Sequence, residues 1–90
     1  MPYIDRNSRM KYDGRIAGTC PLTQGDLNYC ISKLIHYYLM DNDVLCYSNI
    51  NEVIGVLECA KLELYRQIAA PYEDYKKSMN GPVSSLDAKT

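Results

Sequence analysis

Apolar side chains recur in the second half of the chain at Ile50, Ile54, Leu57, Leu64 and Ile68, and the intervals alternate four and three residues once Lys61 takes its place in the series. That alternation is the period of a helix presenting one stripe, whereas a strand would throw successive members onto opposite faces. The same rhythm runs earlier through Leu27, Ile31, Leu34 and Tyr38, with Cys30, Ile35 and Leu39 widening the stripe. Two amphipathic helices therefore dominate a chain of 90 residues, which is about 0.6 of a typical domain and too short for a doubly wound enzyme core. The expected architecture is all-α: an antiparallel helical hairpin with a short N-terminal helix and a Pro-kinked C-terminal helix, assembling as a helical oligomer.

Local signals divide the chain into a basic N-terminal arm over 1–22, the hairpin core over 23–81 and a flexible tail over 82–90. In the arm a short helix spans Asp5 to Tyr12 before Gly14, Gly18 and Pro21 interrupt it. Thr23 with Asp26 three residues on marks the start of the first long helix, since a hydroxyl acceptor and an acid both suit a positive helix N-terminus. Asp41-Asn42-Asp43 ends it, and Val44 to Tyr47 forms a short link. Asn49 and Glu52 read as the next capping pair. Pro71 has no backbone donor and disfavours helical geometry at Ala70, so the second long helix kinks or ends there and a terminal helix starts at Pro71. Asn80-Gly81-Pro82 closes that last helix.

The aromatic set is nine Tyr with no Phe or Trp, so every large ring carries a hydroxyl that must be hydrated or paired. Such rings suit subunit interfaces and flat ligands, or the rim of an ordinary helical core. Net charge is −1. Only the arm has a basic excess, with Arg6, Arg9, Lys11 and Arg15 against Asp5 and Asp13. Bulk positive charge therefore does not recommend a nucleic-acid partner. Cys20, Cys30, Cys46 and Cys59 form no CxxC pair, which argues against zinc and for reduced cytosolic thiols. No apolar stretch approaches the length of a membrane span.

Lys61 breaks the pattern in the middle of the second stripe. Its neighbours in helical register are Glu58 at i−3 and Tyr65 at i+4. Three roles stay open: the amine snorkels to water, fixes register or oligomeric state, or meets an anion at a subunit junction. Gly55 inside the same helix fits a close helix crossing or room for a ligand. His36 is the only histidine and no nucleophile, metal motif or phosphate loop accompanies it, so no enzyme and no cofactor is expected. What remains is a binder's inventory: Arg6 and Arg9 on the arm, Asn28, Tyr29 and Lys33 on the first long helix, Glu58, Lys61, Tyr65 and Arg66 on the second, then Tyr72 and Lys76. Arginine forks suit phosphates and tyrosine faces suit purines, although each of these residues also fits a solvated helix face.

The strings Met1-Pro2-Tyr3-Ile4, Gly25-Asp26-Leu27-Asn28-Tyr29, Asn51-Glu52-Val53-Ile54-Gly55-Val56-Leu57-Glu58, Leu64-Tyr65-Arg66 and Pro71-Tyr72-Glu73-Asp74 resemble a family of small, functionally uncharacterised proteins of tailed bacteriophages and prophages. Gly81-Pro82-Val83 departs from that family's pattern, in which an acidic residue follows the glycine. The resemblance implies a phage setting, hence the host bacterial cytoplasm, and brings no activity with it. In that setting the leading expectation is a counter-defence binder that sequesters a nucleotide-type immune signal between subunits of a homo-oligomer. The alternatives are an inhibitor of a host defence protein and, third, a nucleic-acid accessory protein.

Overall fold

The computed structural model describes residues 2–41 and 45–88, and every regular element among them is helical. Contacts divide the chain into two units, Met1–Val56 and Leu57–Thr90.

The first unit opens with α1, Arg6–Ala17. Asp5 caps it by accepting a hydrogen bond from the Ser8 amide at 2.8 Å, which holds its carboxyl below the usual range. Gly14 does not interrupt the helix as expected. A mid-helix glycine costs only about 1 kcal/mol, which one more turn of hydrogen bonds can outweigh, and the helix runs on to stop at Gly18. Cys20 follows with φ of 43°, a left-handed conformation stiffened by its thiol donating to the Ala17 carbonyl. Helix α2, Gln24–Met40, starts where the capping signal places it, with the Thr23 hydroxyl accepting from the Asp26 amide at 3.0 Å. Asp41 receives its C-terminus by donating its amide to the Tyr37 carbonyl. The turn and link expected beyond it fall partly on 42–44, outside the described residues.

Helix α3, Tyr47–Leu64, begins earlier than the sequence suggests. The Cys46 carbonyl already accepts from the Ile50 amide at 3.1 Å, so Asn49 lies within the first turn and is not its cap. Among the described residues only Val53 is buried, at 8% exposure, while Ile50, Ile54, Leu57 and Leu64 stand open to solvent.

In the second unit the helical path continues through a π segment, Tyr65–Ala69, into α4, Ala70–Asn80. The break expected at Ala70 is replaced by this wide turn, in which the Ala70 amide donates to the Tyr65 carbonyl five residues back. Pro71 supplies the reason: it has no N–H to give the carbonyl four residues earlier, and its ring would crowd that oxygen in a regular turn. A π turn opens the spacing and lets the helix pass. Pro71 is then the second residue of α4, not its first. Gly81, at φ of 89°, donates to the Lys77 carbonyl at 2.8 Å and ends the helix as its composition predicts. The Asp87 carboxylate accepts from the Val83 and Ser84 amides at 3.0 and 2.8 Å, which lowers its pKa.

Candidate functional site

The expected binding residues fall into both units. In the first, the Arg9 side chain is committed locally, its Nε donating to the Ile4 carbonyl at 2.7 Å, which ties the start of the chain to α1. Arg6 opens that helix and is exposed. On α2, Asn28 accepts from the Ser32 hydroxyl at 3.1 Å, one turn on. The Lys33 ammonium sits 5.3 Å from the centroid of the Tyr37 ring, a cation–π contact that the i, i+4 spacing provides. Tyr29 is exposed on the same helix. His36 is exposed as well.

The second unit brings more of the residues together. Lys61 Nζ lies 3.1 Å from Glu58 Oε1, and the lysine side chain is 69% exposed, so the amine does not enter a core within one chain. Its i−3 partner was legible in the sequence; its i+4 partner, Tyr65, is engaged elsewhere. The neighbouring Glu73 carboxylate, through its capacity to accept from the phenol and then through its charge, raises Tyr65 above its usual value of 10.0, with Asp74 adding to the effect. Arg66 Nη2 contacts both oxygens of Glu63, at 2.8 and 3.1 Å, with Glu63 half-buried.

A concavity of about 510 Å³ lies along α4, lined by Tyr65, Glu73, Asp74, Lys76, Lys77 and Asp87 among others. It gathers Tyr65 and Lys76 of the expected set, while Arg66 and Tyr72 are not part of its wall. Glu73, Asp74 and Lys77 were missed as site residues because their spacing reads as ordinary surface pairing. Tyr65 to Glu73 spans eight residues, a separation no simple helical register connects; the π segment between them alters both rise and rotation.

Anions meeting this surface would find exposed cations at Lys61 and Arg66, each already neutralised by an adjacent glutamate. Such pairs are weak in water and open readily to a stronger bidentate acceptor. All four cysteines are free thiols. Among the described residues no group of three or more His, Cys, Asp or Glu side chains converges, and no helix is long and apolar enough to cross a membrane.

No curated protein and no solved structure matches the chain. A family model described as a domain of unknown function, DUF6899, covers residues 1–83, from the start of the chain past the glycine that ends α4. The chain is therefore a member of the DUF6899 family.

Proposed function

We propose that this chain is a non-catalytic phage accessory protein of the host bacterial cytoplasm, a helical hairpin that assembles with its own copies and acts as a counter-defence binder of a nucleotide-type immune signal. One observation carries the reading: within single helices, apolar side chains at helical spacing stand beside exposed arginine, lysine and tyrosine side chains. A stripe left uncovered must find a partner, and polar groups along its edge then become the walls of crevices at the seam. Guanidinium groups offer forks for phosphate, and tyrosine rings offer faces for a base.

Thermal melting against a panel of cyclic nucleotides and ADP-ribose derivatives tests this. A ligand at one hundred times its Kd stabilises the native form by about 2.7 kcal/mol, which corresponds to a rise of roughly 10 °C or more for a domain of this size. The ligand should return unchanged when the protein is denatured. A flat panel refutes signal sequestration, and capture of one host polypeptide in place of any ligand would favour the inhibitor reading.

A further inference from the structure

Beyond Ala70 every residue of α4 is exposed except Lys77, which is half-buried. A lysine amine ordinarily stands in open water, so a half-covered one on an otherwise open helix has a neighbour over it. In the segment 81–88 the half-buried residue is Asp87, and both side chains line the concavity beside α4. A base and an acid, each the exception in its own segment, thus share one hollow. Both belong to the unit Leu57–Thr90.

The chain enters that hollow by a sharp reversal. Gly81 takes φ of 89°, a left-handed conformation that a side chain would strain, and Pro82 stiffens the next step. The residues that follow are tied to one another. Asp87 accepts from the Val83 amide at 3.0 Å and from the Ser84 amide at 2.8 Å, and the Ser84 hydroxyl oxygen accepts from the Leu86 amide at 3.1 Å. Amides donating to an ionised carboxylate make strong bonds, so 83–87 can move as one body about the glycine. None of these bonds reaches α4. The carboxyl of Asp87 is held below the usual range first by the Ser84 amide, next by the Val83 amide and lastly by the positive charge of Lys77, which is the influence that comes from the helix.

We infer that the 83–87 turn is a strap hinged at Gly81: closed, it lays Asp87 beside Lys77, shuts one side of the α4 concavity and withholds that ammonium from anions in solution. Swung away, it releases Lys77. The turn does not need to unfold to open, because Asp87 spends its oxygens on its own amides and offers the helix only its charge. An anion that attracts Lys77 more strongly than Asp87 does, such as a phosphate, opens the strap, and high salt loosens it. The device needs no second copy of the chain.

Acetylation with limiting acetic anhydride, read by peptide mass spectrometry on the full chain, tests this. Lys11, exposed on α1, is the internal reference. Asp87→Ala should raise the modification of Lys77 relative to Lys11 at least threefold, and Ser85→Ala should leave it within 1.5-fold of native, roughly the scatter of the method. Raising salt from about 0.01 M to 1 M shortens the Debye length from roughly 30 Å to 3 Å, so it should raise the Lys77 ratio in the native chain and not in Asp87→Ala. Nuclear Overhauser contacts from the Val83 methyl groups to α4 separate covering from a simple change of charge. They should be present in the native chain and lost in Asp87→Ala. An unchanged Lys77 ratio overturns the strap, and so does a raised ratio with the Val83 contacts kept.

Discussion

Ile54→Ala is the substitution whose effect can be worked out most fully. It removes the equivalent of about three carbons, worth about 0.8 kcal/mol each when buried. Ile54 is 58% exposed in the single chain, so that share of its surface is the most that a second copy would cover under the proposed self-assembly. The loss is therefore about 1.4 kcal/mol per copy and about 2.8 kcal/mol for a symmetric pair, or a dissociation constant roughly 100-fold weaker. Alanine is the better helix former by a few tenths of a kcal/mol, so helical content within the chain should not fall for local reasons. Dilution series followed by sedimentation equilibrium measure the constant, with circular dichroism recorded on the same samples. Glu52→Ala serves as the control, since position 52 lies on the side of α3 away from the stripe and should stay within about threefold of the native constant. An Ile54→Ala constant within threefold of native, with helicity unchanged, would refute the reasoning that an uncovered stripe drives assembly.

Two further outcomes concern the single chain. Thr23→Ala removes the hydroxyl that accepts from the Asp26 amide and should cost about 1 kcal/mol, lowering the melting temperature by several degrees; an unchanged melt would mean that the cap is replaced by solvent without loss. Tyr65 should titrate above the other tyrosines. Its neutral form is favoured in the folded chain by the neighbouring Glu73 carboxylate, so the contribution is present below pH 10 and disappears as pH rises through the raised value. Ultraviolet titration of the native chain should show a late step that Tyr65→Phe abolishes. If both proteins titrate with a single matching curve, the Tyr65–Glu73 contact does not form in solution.

These outcomes also mark what the sequence discloses and what it hides. The start of α2 is legible because its cap is a side chain: Thr23 and Asp26 are visible letters three positions apart. The start of α3 is hidden because its first acceptor is the main-chain oxygen of Cys46, a group every residue possesses. Gly14 and Pro71 mislead in the same direction, since each is a helix breaker by preference and each is overruled. Gly14 is overruled at small cost, whereas Pro71 is overruled only by changing the turn itself.

The same division holds for the candidate site. Glu58 with Lys61 and Glu63 with Arg66 follow from i, i+3 spacing and could be read directly, as could Lys33 with Tyr37 at i, i+4. Tyr65 with Glu73 could not, because it depends on the π segment, and the only trace of that segment in the sequence is a proline with helix formers on both sides. A proline kept inside a continuous helix thus has two consequences that stand or fall together. Pro71→Ala should let Tyr65–Ala69 close into regular α-helical turns, carrying Tyr65 away from Glu73 and returning its phenol toward the ordinary value. The concavity beside α4 is then a product of helix geometry before it is a product of side-chain choice, since one of its walls is a ring that an unbroken α-helix would aim elsewhere.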